Sequence, residues 1–239
     1  ENGFLAPMEK NSARGVNTGV AMMNPTWEPM TVELKLCAVD GLERASSQVT
    51  LAAEGHLARY IHEFTWDQAV DFSDFRGLLK AEAPPQLAAT VIQTRPGEFA
   101  TMPVVERLLN VENVSSDHRL YFAQFGDGEG QLFSQILLVN QAEDVEASAT
   151  ISLRDDDGGP LEVDLNGEVV EGSLAVTVPA GGLKVIETDG EGDLAVGSAT
   201  IPTDCGGPRR KAAASTVRTV AADRSITTTP LALWAMSST

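Results

Sequence analysis

Apolar and polar positions alternate through most of the chain. In Met30-Thr31-Val32-Glu33-Leu34-Lys35-Leu36-Cys37-Ala38-Val39, the residues Val32, Leu34 and Leu36 face one way and Thr31, Glu33 and Lys35 the other. That is the pattern of a half-buried antiparallel strand. Asp40-Gly41 ends it with the residues a tight hairpin turn prefers. Upstream, the apolar run from Val16 is closed by Asn24-Pro25, predicting a strand and a turn. Ser47–Leu51 reads as a third short strand. Phe75–Ala81 and Leu87–Ile92 read as two more, split by Pro84-Pro85, which cannot pair inside a sheet. Phe99–Val105 closes the unit. The period changes once: Leu57, Tyr60, Ile61 and Phe64 fall at i, i+3, i+4 and i+7, predicting a short helix.

The same signals return in the same order, roughly 116 to 127 positions later. Leu132–Asn140 matches Val16–Asn24, Ala147–Leu153 matches the alternating strand, and Asp157-Gly158 stands where Asp40-Gly41 stood. Leu174–Gly182 matches Val49–Gly55, and Asp193–Ala199 matches Asp74–Lys80. The segment Leu161–Gly167 looks like an added hairpin, and Leu183–Asp193 departs from the helical pattern by being short, acidic and Gly-rich. The expected fold is all-β: two tandem antiparallel β-sandwich domains, 1–106 and 118–204, joined by a linker over 107–117. The second copy lacks a match to Leu87–Val105, so its last strands either fall in 205–225 or are missing.

Charge sharpens that boundary. Of 34 acidic and 17 basic residues, all but Asp223 among the acids precede residue 205, while five bases follow it. The tail 205–239 is basic and rich in Ala, Ser and Thr. It is expected to be a disordered extension or the product of a break in the reading frame, with Thr216–Val220 as a weak strand at most. The net charge of −17 argues against nucleic acid as a partner, because phosphates are repelled. No run approaches the roughly 20 apolar residues needed to span a membrane as a helix. Cys37 and Cys205 make neither a CxxC nor a metal-ligand spacing, and both read as free thiols. No leader pattern is visible from Glu1, and any targeting signal would lie upstream.

Thr18-Gly19-Val20-Ala21…Asn24-Pro25, the strand ending Asp40-Gly41, and Gly55-His56-Leu57-Ala58-Arg59 together resemble the start of an immunoglobulin-like β-sandwich module. Phe75-Arg76-Gly77-Leu78-Leu79 and Gly97-Glu98-Phe99…Pro103-Val104-Val105 continue the likeness. Such modules recur in tandem in secreted and surface proteins of bacteria. The resemblance covers 1–106 well and 118–204 less well. It rests on turn and packing residues, so it implies a spacer, anchoring or adhesion role and brings no catalytic set.

Few residues suggest chemistry. Asp155-Asp156-Asp157-Gly158-Gly159 clusters three carboxylates that could hold Ca²⁺. The EF-hand frame fails, since position six is Pro160 and position twelve is Asn166, and turn chemistry alone accounts for the composition. Gly126-Asp127-Gly128-Glu129-Gly130 is not GxGxxG and precedes a strand, so it reads as a hairpin loop, not a phosphate cradle. His56, His62 and His118 form no metal motif, and Ser115, Ser116, Asp117 and His118 are mere sequence neighbours. Asn113-Val114-Ser115 fits the N-glycosylation pattern, and Arg209–Lys211 is too small a cluster to name a partner. Trp27 and Trp66, the indoles of the body, could stack on a sugar. The plainer reading is that each covers one end of the core.

The expectation is a non-catalytic structural, adhesion or spacer module of an exported or surface-attached prokaryotic protein. Its partners would be other domains of the same polypeptide or surface components. The alternative is a carbohydrate-binding module, Ca²⁺-assisted or cofactor-free, using Trp27, Trp66 or Asp155, Asp156 and Asp157.

Overall fold

The computed structural model describes residues 2–102, 104–107, 119–130, 132–202 and 213–221. Contacts divide the chain into two compact units: Glu1–Asn110 with Gly181–Leu183, and Val111–Ala180 with Lys184–Thr239.

The first unit begins with β1 (Asn2–Asn11), β2 (Val16–Met23), β3 (Met30–Ala38), β4 (Glu43–Leu51) and β5 (His56–Tyr60). It continues with β6 (Asp74–Ala83), β7 (Ala88–Arg95), β8 (Glu98–Met102) and β9 (Val105–Glu106). One antiparallel layer runs β4-β3-β6-β1, with β9 also on β1; the other runs β5-β2-β7-β8. The layers join where β1 and β2 pair at Lys10↔Asn17 and Asn11↔Val16. Alternation predicts the core as built: Val32, Leu34 and Leu36 of β3 and Val20 and Met22 of β2 are buried. At a typical ~1.5–3 kcal/mol per fully buried large apolar side chain, this face dominates the stability of the unit.

The second unit comprises β10 (Arg119–Asp127), β11 (Leu132–Asn140), β12 (Ala147–Asp155), β13 (Glu162–Leu165), β14 (Glu168–Glu171) and β15 (Ser173–Val178). β16 (Leu183–Glu187), β17 (Ala195–Pro202) and β18 (Ala213–Ala221) complete it. Its layers are β10-β17-β12-β15 and β16-β11-β18, with β13-β14 as a separate hairpin. That hairpin turns at Asn166-Gly167, both at positive φ, as a tight two-residue connection requires. Its Val163, Leu165 and Val170 enter the core with Phe125, Ile136, Ile151 and Leu153. Asn166 also satisfies the edge of β16, since its Oδ1 accepts the Glu187 N–H at 2.9 Å and its N–H donates to the Glu187 carbonyl at 2.8 Å.

Setting β8, β9 and the β13-β14 hairpin aside, both units follow one pairing scheme. The first strand pairs with the sixth, the second with the fifth and seventh, and the third with the fourth and sixth. A shared steric detail marks the sixth strand: a Cβ on Gly77 would run into the Cys37 carbonyl, and one on Gly197 into the Arg154 carbonyl. An immunoglobulin domain also pairs its second strand with its fifth and its third with its sixth. Here, however, the first and fourth strands lie in the layer of the third and sixth, and the last strand in the layer of the second and fifth, unlike the immunoglobulin arrangement.

Two further expectations change. The short helix is absent: His56–Tyr60 is a strand on β2, followed by a single 3₁₀ turn, Ile61–Glu63. Eight residues are too few for an apolar stripe to separate helix from strand, and the open edge of β2 supplied backbone partners. Glu63 closes the turn by accepting the Tyr60 N–H at 2.8 Å, while Ile61 and Phe64 point into the core. In the tail, expected to be irregular or to hold the last strands within 205–225, Ala213–Ala221 pairs with β11 along its whole length, as the second alternative has it.

Candidate functional site

Asn24 organises the loop that carries Trp27. Its Nδ2 donates to the carbonyls of Glu28 at 2.7 Å and Ala52 at 2.9 Å, and its Oδ1 accepts the Thr26 N–H at 3.0 Å. The Glu54 N–H reaches the Thr26 carbonyl at 3.0 Å, fastening this loop to the next one. Trp27 stands on that fixed frame and is 81% exposed, so it covers no end of the core. Trp66 is different. Its Nε1 donates to the Ile61 carbonyl at 2.8 Å and its ring packs 5.8 Å from Phe64, so it is half-buried and structural. The two indoles are held at separate stations, on β4 and just past its end: Thr65 accepts from Ser47, while the Trp27 loop is tied to Ala52. Those stations lie about 16 Å apart along an extended strand.

The three aspartates of the second unit are not drawn together. Asp155 Oδ1 accepts the N–H groups of Asp157 at 3.1 Å and Gly159 at 2.6 Å, making a closed side-chain-to-backbone turn, while Asp156 and Asp157 point to solvent. Among the described residues, no group of three or more His, Cys, Asp and Glu side chains is placed to hold a metal ion. Gly126 and Asp127 end β10, and Gly128–Gly130 leads toward β11 in the other layer, a connection between layers and not a hairpin between paired strands. The amides of this segment are consumed within the fold, Gly126 N–H by the Ser134 hydroxyl, Gly128 N–H by the Leu132 carbonyl, Glu129 N–H by the Gly192 carbonyl and Gly130 N–H by the Gly190 carbonyl, leaving no cradle for phosphate. Asp127 is buried there and accepts the Gly190 N–H at 2.8 Å. Burial pushes its carboxyl above the ordinary range, against the bonds from Gly190 and Thr188, which pull it down.

Other charged side chains are spent on structure. Glu9, buried, accepts from Arg14 and Arg76 at 3.1 Å each and from Gln93 at 3.3 Å. Glu82 accepts from Arg107 at 2.6 Å and Lys35 at 3.0 Å; these bonds hold its carboxyl below the usual range and raise the Lys35 ammonium. His62 stacks on Tyr60 at 5.8 Å. Cys37 is a buried thiol. Cys205, His118, the Ser115–His118 run, the Asn113 sequon and Arg209–Lys211 lie outside the described residues.

The outer face of the β5-β2-β7-β8 layer was not legible as a site. The register sets Tyr60, Gly19, Ile92 and Thr101 in one cross-strand row and Asn17, Thr94 and Phe99 in the row before it. Ala58, Ala21 and Thr90 form the next row, then His56, Met23 and Ala88. None of these positions is Asp, Glu, Lys or Arg, although 21% of the chain is charged. Phe99 is 71% exposed, and Met23, Tyr60 and Ile92 also reach solvent. The signal was present only across strands, where no local window reads it.

No family model and no curated protein matches this sequence. Among solved structures, the PBSX exported protein XepA aligns with 82% of this chain and 80% of its own, at 11% identity and a TM-score of 0.20, too low a likeness to carry an argument. No helix among the described residues is long and apolar enough to cross a membrane.

Proposed function

We propose that the chain is a non-catalytic structural module, a spacer or adhesion unit of an exported or surface-attached prokaryotic protein. It would be built from two copies of one immunoglobulin-related sandwich whose first, fourth and last strands lie in the opposite layer. The observation that carries this reading is the repeated pairing scheme with its matched details, Asn24 with Asn140 and Gly77 with Gly197. Support also comes from the carboxylates: Glu9, Glu82, Asp127 and Asp155 each bind groups of the fold itself. Its partners are other domains of the same polypeptide or surface components. The test is labelled protein incubated with intact cells and isolated envelopes, alongside ester, phosphate and glycoside hydrolysis assays. Saturable retention without turnover is expected. Turnover that disappears when one carboxylate is neutralised would overturn the reading.

A second reading, a carbohydrate-binding module, is favoured by the exposed Trp27 on a frame that does not depend on it. Aromatic rings with one open face suit the apolar faces of sugars. A glycan array with the wild-type protein and Trp27→Ala tests it. The calcium-assisted form predicts a higher melting midpoint in millimolar Ca²⁺, by mass action on the native state; an unchanged midpoint removes the ion from the account.

A further inference from the structure

We infer that the outer face of the β5-β2-β7-β8 layer is a binding platform for a neutral glycan, an inference that rests on the carbohydrate reading and moves its centre from the loop to the sheet. The exposed face of an antiparallel layer ordinarily carries charged and polar side chains. This one carries none with a formal charge, in a molecule of net charge −17. Its floor is low where Gly19, Ala21 and Ala58 sit side by side, and the Tyr60 ring lies close over Gly19. Phe99 stands at the far strand, about 16 Å from Tyr60 by strand and row spacing. Thr94 and Thr101 lie in the rows of Phe99 and Tyr60, and Thr90 stands one row beyond Tyr60; the Thr90 and Thr101 hydroxyls can donate and accept, while the Thr94 hydroxyl donates to the Asn17 carbonyl at 3.4 Å and can still accept. Aromatic surface at both sides with uncharged hydroxyls on the same face matches the alternating apolar faces and hydroxyl edges of a neutral sugar chain several rings long. An acidic glycan would gain no cation here. A second copy of this chain fits poorly. Four strands by four rows cover about 500 Å², below the roughly 800 Å² per partner of a stable protein interface, and two bodies of −17 repel.

The test is an array of neutral and acidic glycans, followed by calorimetry on the best neutral oligosaccharide with wild type, Phe99→Ala, Thr90→Lys and Trp27→Ala. Weakening of at least tenfold by both Phe99→Ala and Thr90→Lys, with unchanged melting, is expected. Hydroxyl-radical footprinting of the wild type keeps the test open if a variant fails to fold; glycan protection of Met23, Tyr60 and Phe99 is expected. Binding lost in Trp27→Ala but kept in the two sheet variants, with footprint protection confined to the loop, overturns the platform and leaves the carbohydrate reading standing. Silence toward every neutral glycan overturns both. Self-association in sedimentation that Thr90→Lys abolishes would assign the face to a second copy instead and overturn the proposal.

Discussion

Asn140 repeats in the second unit what Asn24 does in the first. Asn24 directly follows β2 and Asn140 is the last residue of β11, each an inner strand of its unit's smaller layer. Asn140 Nδ2 donates to the Val145 carbonyl at 2.8 Å and the Pro179 carbonyl at 3.1 Å, and its Oδ1 accepts the Ala142 N–H at 3.0 Å. The partners of Asn24, namely Glu28, Ala52 and Thr26, hold the corresponding places. Both side chains are fully buried, so each amide does for its loop what a backbone ladder does for a strand.

Asn24→Ala and Asn140→Ala should therefore each destabilise by about 1–3 kcal/mol, the cost of leaving buried backbone groups unpaired. Urea unfolding followed by circular dichroism measures it. A loss below about 0.5 kcal/mol at either site would mean the loops hold themselves.

Glu9 gathers Arg14, Arg76 and Gln93 at the end of the first-unit core. Glu9→Ala leaves these donors facing an apolar layer. Because both guanidinium groups keep partial access to water, the expected loss is about 2–3 kcal/mol, below the 3–5 typical when a fully buried pair is broken. Glu9→Gln should cost less, since it keeps the shape and one acceptor.

The Glu82 group sets a pH window. Its folded carboxyl titrates below its unfolded value, with the Arg107 bond the main cause and the Lys35 bond next. The unfolded state thus takes up its proton first as pH falls. The stabilisation is complete above the unfolded value near ~4.3 and is lost as pH drops through the folded value. Glu82→Gln should flatten the acid limb of a stability-versus-pH curve. An unaltered limb would show that this cluster is not coupled to folding.

Trp27 and Trp66 should respond oppositely to removal. Trp27→Ala touches only solvent-facing surface, so stability should stay within about 0.5 kcal/mol of wild type. Trp66→Ala removes packing on Phe64 and the bond to Ile61, and about 2–3 kcal/mol should be lost. Thermal melts of the two variants settle the order.

Strands with one wet face were legible. β3 alternates because Val32, Leu34 and Leu36 face the core while Thr31 and Glu33 face water. β1 was not seen, because Phe4 through Glu9 are buried on both faces and no alternation survives. Pro7 argued against a strand too, yet it pairs with Leu78 on one side where no register partner stands on the other. β16 hid in an acidic, Gly-rich stretch for a similar reason: its partners, β11 and Asn166, come from elsewhere in the chain.

The order of residues alone determined that this is a turn-punctuated β protein with a repeated grammar, since period-two alternation and Asn-Pro or Asp-Gly stops act over a few neighbouring positions. Only folding in three dimensions decided which layer takes the first and last strands, that His56–Tyr60 extends instead of coiling, that Trp27 stays in water, and that one sheet face carries no charge. Those outcomes depend on hydrogen-bond partners and neighbours tens of residues away, and no local pattern holds that information.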